Sequence, residues 1–493
     1  MKELAYLLFM TLYLWLSITS VSSMRDDRAG NLYRVKRSTR SGDTATTNSW
    51  IEFHTRNEIS SAYIAEQDGC MQADKIGELP GQPGDVDFDQ YAGYVTVDSN
   101  AEKALFYYFV ESSEDPWSKP LILWLSGGPG CSSIGAGAFL ELGPFRVNSD
   151  GRTLFRNEYA WNNVANVIFL ESPAGVGYSY GNSSTIFNST GDSSTANDAY
   201  VFLVKWLDRF PQYQSRPFFI AGESYAGFYV PELAYTIQLN NEQNTSGPFI
   251  NLKGIIVGNP LLDIQMDNVG EFDYLWTHGL ISDETHAQII QSCNFTKISA
   301  DCNDLQTQAI LEAGNPNDEL EVNINLYNIY APVCLNPAPK HGTAGSVDDF
   351  DPCSTNYIGS YLNLKHVQEA LHAKPTNWNL CSNFNWTDKP QSVLPIIQKL
   401  IASNIRVWIY SGDTDGVLPV TSTRYSLNSL KLPIQTSWYA WLINRQVGGY
   451  VVGYEGLTFV TVRGAGHQVP SYQPERALAV ITSFLQGTLP PSS

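Results

Sequence analysis

From about residue 91 to residue 257, short runs of consecutive apolar residues alternate with longer segments in which apolar positions recur every three or four residues. The short runs predict buried strands, and the longer segments predict amphipathic helices. Five apolar side chains of the segment Thr195–Arg209 fall on one helical face: Ala199, Phe202, Leu203, Trp206 and Leu207. Strands that alternate with such helices indicate a mostly parallel sheet covered on both sides.

The predicted elements begin with an antiparallel hairpin formed by Tyr91–Asp98 and Ala104–Val110, whose β-rich runs are separated by a polar turn. Further strands are predicted at Leu121–Leu125, Val167–Leu170, Phe218–Ala221, Leu252–Val257, Val407–Tyr410 and Leu457–Val462. Helices are predicted at Thr195–Arg209, at Ala226–Leu239 and from Pro474 to about Leu485. The sequence therefore predicts an α/β fold class with a sheet flanked by helices.

The alternation stops between about residues 263 and 362, where polar, cysteine-bearing segments replace it. This stretch is predicted to be a helical cap inserted into a catalytic domain that spans residues 76–490. Residues 24–75 are polar and predict a flexible leader that could serve as a propeptide. Their basic cluster Arg34-Val35-Lys36-Arg37 fits either a dibasic processing site or a solvated charge cluster, and both interpretations remain open.

Residues 1–23 have the pattern of a secretory signal peptide, with Lys2, an apolar stretch from Leu4 to Ile18, and small residues at the end. The apolar stretch is shorter than the roughly 20 residues that a membrane span needs. Five N-x-S/T sequons are candidate glycosylation sites: Asn182, Asn188, Asn244, Asn294 and Asn385. We therefore expect a secreted or vacuolar protein without a membrane span.

The composition of the 493 residues disfavours some classes of binding partner. The net charge of −19 disfavours nucleic acid, because a phosphate backbone would be repelled. Neither a Cys-x-x-Cys nor a His-x-x-x-His pair occurs, so we expect no metal and no cofactor. The seven cysteines allow three disulfides and one free thiol, with the pairing open. A homodimer remains as open as a monomer.

Ser224 lies where a predicted strand turns into a predicted helix, within Gly222-Glu223-Ser224-Tyr225-Ala226-Gly227. This is the strand–turn–helix setting of a nucleophile elbow, although Ala226 stands where the G-x-S-x-G pattern has glycine. The small residues permit a tight turn, and the N-terminus of the helix favours developing negative charge. A purely structural Gly-Ser turn is the alternative.

A serine nucleophile needs a histidine base and an acid that fixes the histidine tautomer. His467 follows the strand Leu457–Val462 through a flexible Gly-Ala-Gly turn. Asp413 and Asp415 both follow the strand Val407–Tyr410, and we select Asp415 because it lies further past the strand end. The order Ser224, Asp415, His467 is that of the α/β-hydrolase fold.

The glycine-rich loop Ser126-Gly127-Gly128-Pro129-Gly130 follows a strand and can present backbone N–H groups to an oxyanion. The candidate donors are the N–H groups of Gly128 and Tyr225. A phosphate-binding P-loop is excluded, because no Lys-Ser/Thr pair follows the glycines.

Three segments together resemble the serine carboxypeptidases: Trp124–Ser133, Gly222–Gly227 and Gly464–His467. The resemblance extends from about Leu79 to the C-terminus and is greatest to plant members. It implies release of single C-terminal residues from peptide or protein substrates, at acidic pH. It also implies that the substrate's terminal carboxylate is held by five residues: Trp124, Ser126, Gly127, Glu141 and Glu223.

The resemblance also implies the disulfides Cys131–Cys381, Cys293–Cys302 and Cys334–Cys353, which would leave Cys70 over. Ser126 departs from the family, which usually has asparagine there, and serine offers one donor where an amide offers two. Carboxylate affinity or substrate choice is therefore in doubt.

The same fold also carries acyltransferases that use glucose esters, a hydroxynitrile lyase and catalytically silent binding proteins. Glu223 favours a peptidase, because the acyltransferases typically have aspartate beside the nucleophile. The intact elbow disfavours the lyase.

Overall fold

The computed structural model describes residues 69–181, 190–243, 248–295, 299–314, 324–335 and 345–492. Eleven of the described strands form one sheet, in the order β1-β2-β3-β7-β4-β8-β9-β10-β13-β12-β11. The strands are β1 (Lys75–Ile76), β2 (Gln90–Asp98), β3 (Lys103–Val110), β4 (Leu121–Leu125), β5 (Phe145–Val147), β6 (Leu154–Arg156), β7 (Asn166–Leu170), β8 (Phe218–Glu223), β9 (Leu252–Gly258), β10 (Arg406–Gly412), β11 (Ile434–Ile443), β12 (Gln446–Tyr454) and β13 (Leu457–Val462).

The six central strands of the sheet pair in parallel, in the order β7, β4, β8, β9, β10 and β13. Antiparallel strands complete both edges. The side chains of β4 and β7 are buried at every position, as the uninterrupted apolar runs predict for strands covered on both faces. The predicted fold class, a mostly parallel sheet flanked by helices, is confirmed.

The described helices are α1 (Cys70–Asp74), α2 (Asp192–Arg209), α3 (Ala226–Glu242), α4 (Ile264–Thr277), α5 (Asp283–Ser292), α6 (Ala300–Glu312), α7 (Ser354–Leu362), α8 (Lys365–Ala370), α9 (Leu394–Ala402), α10 (Val420–Ser429), α11 (Val469–Tyr472) and α12 (Pro474–Gln486). A π-helical segment, Ser133–Glu141, follows the glycine-rich loop. Helices α4, α5 and α6 lie within the stretch that the sequence predicts to be an inserted cap.

The fold begins earlier than the predicted boundary at residue 76. Helix α1 starts at Cys70, and β1 pairs with β2. Asp74 accepts hydrogen bonds from the buried Arg209 guanidinium (2.6 Å) and from the Tyr107 hydroxyl (2.6 Å). The last residues of the predicted leader are therefore part of the packed structure. Residues 1–68, which include the predicted signal peptide and the basic cluster, lie outside the described residues.

The β11–β12 hairpin was not predicted. Its outer strand, β11, is exposed or half-buried at nearly every position, and β12 includes Gly448, Gly449 and Gly453. An edge strand with one exposed face and interior glycines lacks the continuous apolar run that marks the central strands.

Candidate active site

The carboxyl ends of the parallel strands β4, β8, β10 and β13 meet at one edge of the sheet, and the predicted site residues follow those ends. Strand β8 ends at Glu223, and helix α3 begins at Ala226. Ser224 occupies the turn with φ = +66°, a region in which a side chain costs about 1 kcal/mol or more. Its N–H donates to the Gly258 carbonyl (3.0 Å), and its own carbonyl accepts from Leu261 N–H (3.0 Å). Neighbouring backbone therefore holds the strained turn.

Asp415 and His467 are brought together because β10 and β13 are parallel neighbours. The distance from His467 Nδ1 to Asp415 Oδ2 is 2.7 Å, and both side chains are buried. Asp415 also accepts hydrogen bonds from the Asn259 side-chain amide (2.7 Å) and from Val417 N–H (2.8 Å). These donors hold the carboxylate in the position from which it can orient the imidazole.

Asp413, the other candidate acid, has a different role. Its Oδ1 accepts from Gly464 N–H (2.6 Å), which ties the turn after β10 to the turn after β13. Burial raises the pKa of Asp413. The structure thus places Asp415, and not Asp413, against His467.

A segment from the predicted insertion lies over the histidine turn. Tyr327 accepts a hydrogen bond from His467 N–H at its carbonyl (2.6 Å), and its ring meets the imidazole edge-on with centroids 5.1 Å apart. A Cβ at Gly466 would lie 2.1 Å from that same carbonyl, so only glycine permits this approach. Leu326 and Ile329 bond the backbone of the Asp415 turn. The segment therefore braces both turns.

The glycine-rich loop lies directly against the elbow. A Cβ on Gly127 would come within 2.4 Å of Tyr225 N and 2.8 Å of Ser224 Cβ. Gly128 has φ = +113°, a conformation that favours glycine. The loop therefore lies beside Ser224 and Tyr225, and Gly128, the other predicted oxyanion donor, is the next residue of that loop.

A disulfide bond links the end of the glycine-rich loop to a distant part of the chain. Cys131 is joined to Cys381, and the Gly130 carbonyl accepts from Ser382 N–H (2.9 Å). The other disulfides join Cys293 to Cys302 and Cys334 to Cys353, the same pairs that the resemblance implies. Cys70 is a free cysteine.

The five residues expected to hold a substrate carboxylate lie along the same edge. Trp124 Nε1 donates to Ser126 Oγ (3.0 Å), and Ser126 N–H donates to Ser133 Oγ (3.0 Å). Glu223 Oε1 is 3.9 Å from His467 Nε2, the imidazole nitrogen that does not face Asp415. Glu223 is therefore a neighbour of the histidine as well as of the nucleophile.

Tyr410 lies near both glutamates. Burial raises the pKa of its hydroxyl, and the nearby charges of Glu223 and Glu141 add to that rise. Glu141 ends the π-helical segment, and its carbonyl accepts from the Arg146 guanidinium (2.6 Å). Burial lowers the pKa of Arg146 to about 10, while the Glu141 charge acts in the opposite direction. Glu141 and Glu223 thus share one buried, aromatic environment.

Four contributors to the site were missed from the sequence. Asn259 follows the carboxyl end of β9, so a search for polar residues after core strands could have found it. Tyr327, Tyr410 and Arg146 act through contacts between distant parts of the chain, and no local sequence signal marks them.

Of the predicted glycosylation sites, Asn294 and Asn385 are exposed, and Asn182, Asn188 and Asn244 lie outside the described residues. Within the described part of the chain, no group of three or more His, Cys, Asp or Glu side chains could hold a metal ion. No described helix has the length and hydrophobicity that a membrane crossing requires.

The strained serine turn, the Asp–His pair and the eleven-stranded sheet define an α/β hydrolase. Residues 80–487 match the family model described as serine carboxypeptidase. The chain is 48% identical over 474 residues to serine carboxypeptidase-like 40 of Arabidopsis thaliana, with 94% of this chain and 92% of the relative covered. It is also 48% identical over 446 residues to serine carboxypeptidase 24 of the same plant, covering 86% and 94%.

Among solved structures, the chain is similar to KEX1(delta)p, a prohormone-processing carboxypeptidase from Saccharomyces cerevisiae. The TM-score is 0.71 at 22% identity, with 85% of this chain and 96% of that chain covered, which supports the fold. The chain belongs to the serine carboxypeptidase family and is a serine-type carboxypeptidase, a hydrolase.

Proposed function

We propose that Ser224, His467 and Asp415 form the catalytic triad of this carboxypeptidase. The observation that carries the proposal is the 2.7 Å hydrogen bond between the buried Asp415 and His467, at the strand edge where Ser224 occupies a strained turn. Such strain in a non-glycine residue is typical of functional sites, where the surrounding structure maintains it.

In the proposed reaction, Ser224 Oγ attacks the carbonyl carbon of the last peptide bond while His467 Nε2 takes its proton. Asp415 stabilises the resulting imidazolium. The N–H groups of Gly128 and Tyr225 donate to the oxyanion. His467 then gives the proton to the leaving amino acid, and water hydrolyses the acyl-enzyme by the same steps in reverse order.

We propose that Trp124, Ser126, Gly127, Glu141 and Glu223 bind the substrate's terminal carboxylate. Two glutamates that face a carboxylate cannot all be ionised, so at least one of them must hold a proton and donate it in a hydrogen bond. Substrate affinity should therefore fall as the pH rises above the apparent pKa of the glutamate pair. The buried setting of Glu141 and Glu223 beside Tyr410 supports this assignment.

At position 126 this subsite has serine, whose side chain is shorter than the asparagine that is usual in the family. Because the Ser126 oxygen already accepts a hydrogen bond from Trp124 Nε1, its hydroxyl hydrogen is directed to another acceptor. A substrate carboxylate is the acceptor that we propose.

Three disulfides fit an oxidising compartment, and we propose a secreted or vacuolar location.

The test is an assay of purified protein at mildly acidic pH on N-blocked dipeptides, beside glucose esters with an acceptor alcohol. We expect release of the C-terminal amino acid, and its loss in the Ser224→Ala variant. Transfer from the ester to the alcohol without peptide hydrolysis would overturn the proposal in favour of an acyltransferase. Absence of both activities, in folded protein that an organophosphate fails to label at Ser224, would identify a silent binding protein.

A further inference from the structure

Three acidic side chains, two completely buried and one half-buried, lie beside the nucleophile elbow, outside the proposed catalytic and substrate-binding residues. Asp192 is the first residue of α2, and Glu232 lies in α3; both are completely buried. Asp388 approaches from the chain that follows Cys381, and its Oδ2 accepts from Ser193 N–H (3.1 Å). We call Asp192, Glu232 and Asp388 the rear carboxyl cluster.

The rear carboxyl cluster is connected to the elbow by one hydrogen bond. The Tyr225 hydroxyl donates to Asp192 Oδ2 (3.0 Å), and both side chains are buried. The Tyr225 ring packs edge-on against Tyr229 (centroids 5.1 Å apart) and Trp386 (5.7 Å). Tyr225 thus has its side chain anchored at Asp192, while its backbone N–H is a proposed oxyanion donor.

The same packing extends to the loop that carries the other proposed donor. Trp386 also contacts Tyr229, and the main chain of Gly130 approaches the Tyr229 hydroxyl. The chain that carries Trp386 and Asp388 follows Cys381, which is joined to Cys131 at the end of the glycine-rich loop. Both sides of the proposed oxyanion site therefore pack against one layer, which contains Tyr229 and Trp386.

The charges of the rear carboxyl cluster and its neighbours do not balance if every carboxyl group is ionised. Burial raises the pKa of Asp192, and the Asp388 charge adds to the rise. Burial likewise raises the pKa of Glu232, followed by the charge of Asp192. Lys389 is the cation that offsets Asp192 among the described residues, and burial lowers the pKa of this lysine to about 8. Tyr225, in the turn before α3, and Tyr229, in α3, are further titratable groups near Asp192 among the described residues.

We propose that Asp192 is a positioning residue, which holds the Tyr225 N–H in place for the oxyanion while the rear carboxyl cluster retains a proton. The inference rests on the proposed triad and oxyanion donors. If the rear carboxyl cluster must hold a proton, the enzyme has a second reason to need acidic pH, and this one affects kcat. The Glu141–Glu223 pair acts instead on recognition of a free substrate carboxylate. The two requirements are therefore separable with a substrate that lacks that carboxylate.

The experiment measures kcat and KM from pH 4 to 9 on an N-blocked amino-acid nitrophenyl ester, which has no free carboxylate, and on an N-blocked dipeptide. Tyr225→Phe keeps the ring and the backbone N–H but removes the anchor, and we expect kcat on both substrates to fall about tenfold with little change in KM. Asp192→Asn keeps an acceptor for the hydroxyl but cannot ionise. We expect it to keep most of its kcat at acidic pH and to extend ester turnover to higher pH.

The matched control is Tyr213→Phe. The Tyr213 hydroxyl donates to Glu111 Oε1 (2.6 Å), so it also forms a buried tyrosine–carboxyl pair, but Glu111 directly follows β3 at the opposite edge of the sheet. This control should lower the Tm and leave kcat unchanged.

Equal kcat values for Tyr225→Phe and Tyr213→Phe would overturn the inference, and so would an Asp192→Asn pH profile that coincides with that of the unaltered protein. If Tyr225→Phe fails to fold, the Asp192→Asn profile decides alone. Activity retained by Ser224→Ala would instead overturn the proposed triad, so the two failures are distinguishable.

Discussion

Two aspartates in this structure, the buried Asp415 and the largely buried Asp74, are held by different kinds of partner. Asp415, at the carboxyl edge of the sheet, accepts from a neutral amide, from backbone N–H groups and from the imidazole of His467. Asp74, beside the outer strands, accepts from the guanidinium of Arg209 and from a tyrosine hydroxyl. Each carboxylate is well supplied with donors, so the number of hydrogen bonds does not separate them.

The difference lies in whether the partner's charge can change. Arginine stays protonated at every relevant pH, so the Asp74–Arg209 pair is permanently neutralised and can only stabilise the fold. Histidine in general can take up and release a proton near physiological pH, so Asp415 faces a partner whose charge can change. A buried carboxylate beside a titratable partner is therefore the better candidate for chemistry.

Glu171 extends the comparison to a carboxyl group beside which no cation lies in the part of the chain that the structure describes. It is completely buried after β7, and its Oε1 accepts from the Ser132 hydroxyl (2.6 Å). Burial raises its pKa to about 7, although hydrogen bonds from Ser132 and Trp378 oppose the rise. This group compensates for burial by keeping its proton through most of the acidic range.

The largest effect is expected at Asp415. In Asp415→Asn the amide can donate to His467 Nδ1, which favours the wrong imidazole tautomer and removes the charge that stabilises the imidazolium. We expect kcat on blocked dipeptides to fall about 10⁴-fold, or about 5.5 kcal/mol, with the fold retained. The control is Asp413→Asn, which should change kcat only a few-fold because Asp413 bonds Gly464. A greater loss in the control would reassign the acid.

The next effect is expected at Asp74, on stability alone. Asp74→Asn leaves the buried Arg209 without its counter-ion, and we expect the free energy of unfolding to fall by about 3–5 kcal/mol at neutral pH. Urea denaturation measures this, and kcat of the folded fraction should not change. Asp89→Asn is the control. It breaks the half-exposed Lys75–Asp89 pair (2.7 Å) and should cost less than about 1 kcal/mol. Equal losses in the two variants would contradict the assignment of Asp74 as the structural counter-ion of Arg209.

The fold was predictable wherever a strand is buried on both faces. Strands such as β4 and β7 are continuous apolar runs, and their alternation with helices is enough to indicate a parallel sheet. The β11–β12 hairpin was missed because an exposed edge strand has no such run. Helix α1 was missed because it is only five residues long and contributes to the core through the Asp74–Arg209 pair.

The candidate site was predictable as far as strand ends determine it. Ser224, Asp415 and His467 each follow a core strand, and the resemblance supplied Glu141 and Glu223. Tyr327 was not predictable, because it reaches His467 through a backbone carbonyl that any residue could provide. Asp192 was not predictable either, because its effect on Tyr225 depends on how α2 packs against α3, which no sequence pattern gives.

The smallest effect is expected at Glu171, and it appears as a dependence of stability on pH. The folded protein binds the Glu171 proton up to about pH 7, whereas the unfolded chain releases it near pH 4.5, the ordinary pKa of a glutamate. The folded state therefore binds more protons between these values, so its stability falls as the pH rises through that window, by about 3 kcal/mol in total. Glu171→Gln mimics the protonated group, and its free energy of unfolding should lack this contribution. Urea denaturation of both proteins at intervals from pH 4 to 8 gives the difference curve. A curve that is flat across the window would show that Glu171 is already ionised in the folded protein, and that a buried carboxyl group here does not need a cation.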